Sequence, residues 1–435
     1  MRHRQAIRIY KKYAQSRQAR ETSSGSVLMA ASVASMIDQF NLPNIRLMQE
    51  MGFRVHVACN FREGNTCSSR RTGELRRQLE GMGVVCHQWD CPRSIRPVAK
   101  CARAYRQLGA LVKKYHFRWM HCHSPIGGAL ARMAAYQADI PVAYTAHGFH
   151  FYRGAPLKNW LLFYPVEKLL SYVTDVLVTV NQEDYRFAQR CLKAGKTFHI
   201  PGVGIDTGKF GAGPADRQEF CRKYRIPEDA VVLLSVGELN KGKNHKMAIG
   251  ALAALAREDV YYLICGKGAL REELQEYADQ LGVGGRIRMP GYSDNMPWIY
   301  RNADIFVFPS VREGMPVAVM EAMAAGLACV VSDIRGCREL ISGARTGQAA
   351  ADYPAYHGPG GFRFSLGQPK QLEKALAILI DSKTLRQACG RHNQKKISDY
   401  DQELVQENMK GIYAAMELDN RIPRGHVCLA HCPRK

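Results

Sequence analysis

Two glutamates separated by seven residues, Glu313 and Glu321, stand in the run Pro309-Ser-Val-Arg-Glu-Gly-Met-Pro-Val-Ala-Val-Met-Glu-Ala-Met-Ala-Ala-Gly326, directly after the apolar stretch Ile305–Phe308. Pro316 fits the first turn of a helix, where its missing N–H is harmless. Glu313 then falls in a strand-to-helix loop, and Glu321 lies about one and a half turns into the helix. The amides of Gly314, Met315 and Val317 at such a helix start make an anion site. A carboxylate beside an anion site suits a ligand that also offers hydroxyls, as a sugar or ribose does. The plainer alternative is that Glu313 caps the helix and Glu321 lies on its solvated face.

A second loop, Ser235-Val-Gly237-Glu238-Leu-Asn-Lys241-Gly242-Lys243-Asn244-His245, follows another apolar run and precedes a helix expected over 245–255. Its lysines and backbone amides could hold a diphosphate by point charge and hydrogen bonding. Cys265-Gly266-Lys267-Gly268, after the next run, permits close backbone approach. In the first half, His147 sits in Thr145-Ala-His-Gly-Phe-His-Phe151 at a strand end. It is a candidate for polar contact with a ligand across a cleft, the alternative being a structural loop histidine on an exposed loop. Single loops of these kinds are common. Their coincidence in one chain is what points to a site for a phosphorylated, hydroxyl-bearing ligand.

The elements that must position them follow from period and composition. Short β-branched runs at 27–31, 55–58, 84–87, 119–121, 142–145, 176–180 and 198–200 alternate with longer helical stretches. The pattern resumes at 231–236, 261–265, 287–289, 305–308 and 329–332. Near-continuous apolar strands separated by helices predict parallel sheets covered on both faces, hence two doubly wound α/β units in tandem. In such sheets ligands bind beyond the carboxyl ends of the strands, and two facing units create a cleft. The join is expected at 201–214, whose five Gly and two Pro break either element. No repeat of solenoid period occurs.

The chain of 435 residues is too long for one core and suits two domains. With 46% hydrophobic and 23% charged residues it is of ordinary globular composition. No stretch reaches the ~18 apolar residues of a spanning helix; the most apolar segment, 160–180, is interrupted by Glu167, Lys168 and Asp175. The basic N-terminus lacks the apolar core of a secretory signal, so export is not expected. Fourteen scattered Cys without a Cys-x-x-Cys pair read as buried free thiols in a reducing cytoplasm. His426, Cys428, His431 and Cys432 match no zinc-finger spacing, and no Asp-x-Asp pair stands at a strand end, so no metal is expected.

The net charge of +22 is unevenly placed. Residues 1–26 carry seven basic and one acidic side chain, 27–205 carry 23 and 11, 206–420 carry 27 and 27, and 421–435 carry four and none. The excess lies in the first half and the termini. Arg96, Lys100, Arg103, Arg106, Lys113, Lys114 and Arg118 form a run without an acid, read either as a solvated face or as attraction to an anionic membrane surface. Lys and Arg are not interleaved with stacking aromatics, which argues against nucleic acid. The first strand exits into Ala31-Ser-Val-Ala-Ser-Met36 and not Gly-x-Gly-x-x-Gly, which disfavours a dinucleotide-dependent dehydrogenase.

With these residues assembled, the segment FVFPSVREGMPVAVMEAMAAGLACVVSD resembles the donor-site signature of the family 4 retaining nucleotide-sugar glycosyltransferases, which have the two-Rossmann GT-B fold. VGELNKGKNH, PGVGIDTGKF, TAHGFHFY and LVTVNQEDY are similar to the family's accompanying segments, in order, from about residue 27 to 417. The flavour is that of bacterial capsule and exopolysaccharide enzymes. Residues 1–26, without a strong apolar face, read as a basic arm and 421–435 as a basic tail; between them the resemblance implies an acceptor-side domain at 27–205, a donor domain at 206–395 and a helix at 396–420 packing back on the first domain. It also implies that Glu321 bonds the donor ribose and that Glu313, with the amides of Gly314 and Met315, holds the sugar in an orienting role. Lys243 would bind the diphosphate, and His147 would reach the transferred sugar from the first domain. Pro316, Val317, Gly237, Glu238, Lys241, Gly266 and Gly268 complete the expected donor site. The substrate implied is a nucleotide-diphosphate sugar, UDP-linked, with no metal or other cofactor required. The acceptor is a lipid-linked or growing glycan, met at the cytoplasmic face of the membrane.

Two positions depart from the family pattern. Glu238 stands where many members have a second phosphate-binding Arg, a role open to Lys241. The first loop, 31–36, lacks the paired glycines many members use. A 2-epimerase of the same fold, or a non-catalytic glycan- or nucleic-acid-binding protein, are the competing readings.

Overall fold

The computed structural model describes residues 25–94, 96–345 and 356–419. The basic arm before Gly25, the tail after Asp419 and its four His and Cys side chains lie outside the described residues.

The first half forms one parallel sheet of β1 (Ser26–Val33), β2 (Arg54–Asn60), β3 (Val85–Gln88), β4 (Met120–His123), β5 (Val142–Ala146), β6 (Val176–Thr179) and β7 (Lys196–His199), in the order β3-β2-β1-β4-β5-β6-β7. The central strands are buried along nearly their whole length, which is why they read as continuous apolar runs. Order reverses between β1 and β4, so helices cover both faces and a crevice opens at the carboxyl ends there.

The second sheet contains β8 (Val231–Val236), β9 (Val260–Cys265), β10 (Ile287–Gly291), β11 (Ile305–Phe308), β12 (Ala328–Ser332), β13 (Ala344–Arg345), β14 (Tyr356–Gly358) and β15 (Gly361–Phe364). Their order is β10-β9-β8-β11-β12-β15-β14-β13, with β14 antiparallel to both its neighbours. The last three strands have no counterpart in the sequence expectation. They are only two to four residues long, and β15 carries a charge in its middle. Arg363 is nonetheless buried, bonded to Asp333 at 3.0 Å and to the carbonyl of Ile341 at 2.6 Å.

The chain crosses between the sheets twice, side by side. At the first crossing Ile205 N–H donates to the Tyr400 carbonyl, and Gln402 N–H donates back to Ile205. Segment 201–214 is not wholly irregular, as its Gly and Pro content suggests. It holds the short helix Thr207–Gly211, started by Asp206, whose carboxylate accepts from Lys209 N–H at 2.8 Å. After the second crossing, helix Gln402–Asp419 lies on the first sheet. Tyr413 stacks on Trp119 with centroids 5.1 Å apart, and Glu417 accepts from Trp119 Nε1 at 2.8 Å and pairs with Arg118 at 2.6 Å. A single apolar cluster therefore runs from β1 and β2 through Tyr400, Met409 and Tyr413 into β8, β11 and β12. No described helix is long and apolar enough to cross a membrane.

Candidate active site

The carboxyl ends of β8 and β11 bring two of the expected groups into contact. Glu313 Oε1 accepts from Lys243 Nζ at 2.7 Å and from Ser310 Oγ at 2.9 Å. Their side chains are 23% and 24% exposed, so the pair is partly screened from water while open on one side. Lys243 also lies over the Phe308 ring, 5.1 Å from its centroid. The two loops are stapled together: Val311 N–H and Ser310 Oγ both donate to the Gly242 carbonyl, at 2.8 and 3.1 Å. Glu313 is thus no helix cap; helix Val317–Ala324 starts at Pro316 without a side-chain cap. Pro316 stands one residue before the first turn expected for it. Among the described residues the amides of Gly314, Met315 and Val317 have no hydrogen-bond partner, and Gly314 and Met315 are buried. Buried amides need an acceptor, which a ligand oxygen or water supplies.

Glu321 does not lie on a solvated face. It is one turn into the helix, half-buried, and accepts from Tyr300 Oη at 2.8 Å. Burial raises its carboxyl pKa to about 7, with the Tyr300 bond pulling the other way.

His147 comes from the end of β5, in a loop that is half-buried and not exposed as expected. Its backbone carbonyl abuts Gly314 so closely that a Cβ at 314 would lie 1.8 Å from that oxygen. Only glycine fits there, and the close approach sets the first domain's histidine loop against the Glu313 loop. The His147 ring bonds through Nε2 to His123 Nδ1 at 3.0 Å, and burial lowers its pKa to about 4, leaving it neutral.

The glycines of the second domain serve mainly to let loops approach. A Cβ on Gly266 would lie 1.8 Å from the Gly237 carbonyl, and one on Gly268 would lie 2.3 Å from the Leu239 carbonyl. Glu238 and Lys241 are exposed, and among the described residues neither forms a side-chain hydrogen bond or ion pair with Lys243 or Glu313. The expected loop at 31–36 is not a loop: β1 runs to Val33 and helix Ala34–Phe40 begins directly after it, and within the strand Ser32 Oγ accepts from Gly127 N–H at 3.0 Å while its N–H donates to Ser124 Oγ at 3.2 Å.

Several residues escaped the sequence reading. Ser310 and Tyr300 orient the two glutamates. Arg335 bonds the Asp184 carboxylate and donates to the Phe149 carbonyl at 2.8 Å, joining the domains through a fully buried ion pair. Asn181 Nδ2 donates to the Gly314 carbonyl at 3.2 Å and to Asp184 at 3.0 Å. Gln182 N–H donates to Glu339 at 2.8 Å. Asn181 and Asp184 fall within the quoted LVTVNQEDY, and polar side chains at a strand end were the available signal.

Two doubly wound sheets joined through the Arg335–Asp184 pair, with the histidine loop of the first set against the Glu313 loop of the second, define the GT-B fold. Known proteins agree. Residues 216–396 match the family described as Glycosyl transferases group 1, and residues 42–201 match the Glycosyl transferase 4-like domain. EpsD of Bacillus subtilis (strain 168), itself named as a glycosyltransferase, is 33% identical over 405 residues, covering 91% of this chain and 98% of that protein. An Escherichia coli UDP-Gal:alpha-D-GlcNAc-diphosphoundecaprenol alpha-1,3-galactosyltransferase is 30% identical over 243 residues, 54% of this chain and 62% of that one. The crystal structure of Anabaena Alr3699/HepE in complex with UDP-glucose superposes with a TM-score of 0.70 at 16% identity, covering 90% of this chain and 99% of that one. The chain belongs to the GT-B glycosyltransferases of the family 4 type.

Proposed function

We propose that the protein transfers a hexosyl or N-acetylhexosaminyl group, with retention of anomeric configuration, from a UDP-linked sugar to a lipid-linked or growing glycan acceptor in exopolysaccharide or capsule synthesis. The observation that carries this reading is the Lys243–Glu313 pair beside the unpartnered amides of Gly314 and Met315. A cation and free amides suit a diphosphate, and the carboxylate among them suits sugar hydroxyls. The printed names of the relatives favour the same substrates: the Escherichia coli protein is named for a UDP-Gal donor and a diphosphoundecaprenol acceptor, and the Anabaena structure holds UDP-glucose.

In this reading Lys243 and the amides of Gly314 and Met315 meet the negative charge that grows on the leaving diphosphate, where a preorganised donor lowers the barrier most. No metal is needed for that neutralisation. Glu321, held by Tyr300, accepts from the ribose hydroxyls. Glu313 accepts from hydroxyls of the transferred sugar and orients its ring; it is not assigned as a nucleophile, and attack comes from the leaving-group face. His147, neutral and steadied at Nε2 by His123, turns Nδ1 to the sugar from the opposite domain. The acceptor side of the cleft lies toward the inner face of the membrane. Glu313→Ala should lower transfer of labelled sugar by roughly 10²–10³-fold while thermal unfolding is unchanged, and near-normal turnover contradicts the assignment.

A further inference from the structure

One outer layer of the first domain carries surface that the donor site does not use. Helices Val98–Tyr115, Pro125–Gln137 and Leu157–Ser171 lie side by side over the same sheet face and share one apolar cluster with β1, β4 and β5. Across the three helices the only carboxylate is Glu167. It is buried in a bidentate pair with Arg132, at 2.6 and 3.2 Å, so none of the three presents a negative charge to solvent.

The outward face of helix Leu157–Ser171 is largely apolar, interrupted by exposed Lys158 and Asn159, where a helix bordering water is usually polar throughout. Leu157 is 73% exposed, Leu161 and Leu169 are 70% exposed, and Leu162 is also out in solvent. Their spacing puts them along one stripe, opposite the buried Leu170 and the half-buried Trp160 and Phe163 that hold the helix to the sheet. A contiguous exposed patch of this kind marks an interaction surface. Helix Pro125–Gln137 packs between this helix and Val98–Tyr115 and continues the exposed apolar surface with Met133 and Tyr136; on its far side Val98–Tyr115 presents Arg103, Arg106, Lys113 and Lys114, all exposed.

A three-helix layer with exposed leucines on one outer helix, cations on the other and no exposed acid on any of them matches an anionic, amphiphilic surface. A second copy of the chain fits worse, since a two-fold contact through this layer brings like charges together. We propose that this three-helix layer docks on an anionic bilayer, with Leu161, Leu162 and Leu169 entering the interfacial region and the lysines and arginines of Val98–Tyr115 meeting headgroup phosphates. Helix Leu157–Ser171 begins six residues after Phe151, at the end of the His147 loop, so docking holds the histidine side of the cleft at the membrane. The docking stands apart from the proposed reaction; only its use, delivery of a lipid-linked acceptor, rests on that reading.

The test is sedimentation of the full chain with phosphatidylcholine vesicles with and without phosphatidylglycerol. Wild type should pellet with the anionic vesicles. Leu161→Ser/Leu169→Ser should weaken partitioning by roughly tenfold or more, and Lys113→Ala/Lys114→Ala should weaken it at low salt only. All these side chains are exposed, so the melting temperature and its shift with nucleoside diphosphate should not change. Equal pelleting with both vesicles, or unaltered binding of the leucine variant, overturns the proposal. A concentration-dependent dimer that the leucine variant abolishes overturns it in favour of a second copy. Loss of the nucleoside diphosphate shift in wild type with vesicle binding intact would count against the transferase reading and leave the docking standing.

Discussion

Lys243 Nζ lies 2.7 Å from Glu313 Oε1, although the two residues are 70 apart in sequence and belong to different strand-end loops. The pair keeps a cation and a carboxylate of the proposed donor site aimed at one another before substrate arrives. A diphosphate entering the site competes with Glu313 for Lys243, and the carboxylate is then released to sugar hydroxyls. Lys243→Ala should therefore weaken nucleoside diphosphate binding by about 1.5–3 kcal/mol, the range of a charge-assisted hydrogen bond, measured by calorimetry. Glu313→Ala should leave that affinity unchanged or tighter, because Lys243 loses its competitor. The double variant should depart from additivity, and strict additivity contradicts a functional coupling.

Glu321 supplies a pH signature. Its carboxyl pKa stands at about 7, raised by burial above the ordinary 4.5. The folded state therefore binds this proton more tightly than the unfolded state, and the group's contribution to stability is full below about pH 4.5 and lost as pH rises through 7. Glu321→Gln should match wild type in melting temperature near pH 5 and exceed it by several degrees near pH 8. Ribose hydroxyls donating to the carboxylate favour its charged form, so nucleoside diphosphate should bind wild type more tightly above pH 7 than at pH 6, with proton release. The variant should lose that dependence. A pH-independent affinity in wild type counts against the ribose role.

Buried imidazoles act in the opposite sense. Burial lowers His56, His147, His150 and His245 from 6.5 to about 4 and His121 to about 3, and puts His123 well below its ordinary value. These rings bind fewer protons folded than unfolded, so their contribution is complete above about pH 6.5 and is lost as pH falls toward 4. Melting temperature should drop steeply over that interval, despite the opposing carboxyls of Glu321 and Glu339, both raised by burial. His121→Gln should make the decline shallower. An unchanged slope would count against neutral burial of this ring.

Arg335 and Asp184 form a buried ion pair between the domains, 2% and 3% exposed. Removing one partner of such a pair leaves an uncompensated charge and costs about 3–5 kcal/mol. Arg335→Ala should lower the melting temperature and open the cleft, raising the radius of gyration in solution scattering. Asp184→Asn/Arg335→Met should regain much of the stability while the raised radius persists, which separates the clamp's geometric role from its charge. A single variant with unchanged radius and stability would remove the clamp from the account.

What was legible in the sequence follows from range. The two sheets could be read because buried parallel strands are continuous apolar runs, and the Lys243 and Glu313 loops because each directly follows such a run. Their mutual contact could not, since spacing along a chain says nothing about which strand ends adjoin. Tyr300 was invisible as the partner of Glu321 for the same reason, and Arg335–Asp184 joins residues 151 apart in different domains. His147 stands before a glycine in a strand-end loop, a position that reads as exposed; the loop is half-buried because Gly314 lets the opposite loop press against it. The short strands β13 to β15 are too brief for any period to register. The leucine stripe is hidden in the sequence because Lys158, Glu167 and Lys168 break the apolar run, and only the folded helix shows that Glu167 turns inward while Leu161, Leu162 and Leu169 stay exposed.

In the proposed reaction the second domain's strand-end loops bind a nucleoside diphosphate through Lys243 and its sugar through Glu313. Thermal-shift titration of wild type, Lys243→Ala and Glu313→Ala with a panel of nucleoside diphosphates and their sugar conjugates tests it most directly. UDP should stabilise wild type, and one UDP-sugar should stabilise it further. Lys243→Ala should lose most of the UDP shift, and Glu313→Ala should keep that shift while losing the added increment from the sugar. No stabilisation by any member of the panel, or equal shifts in all three proteins, would contradict it.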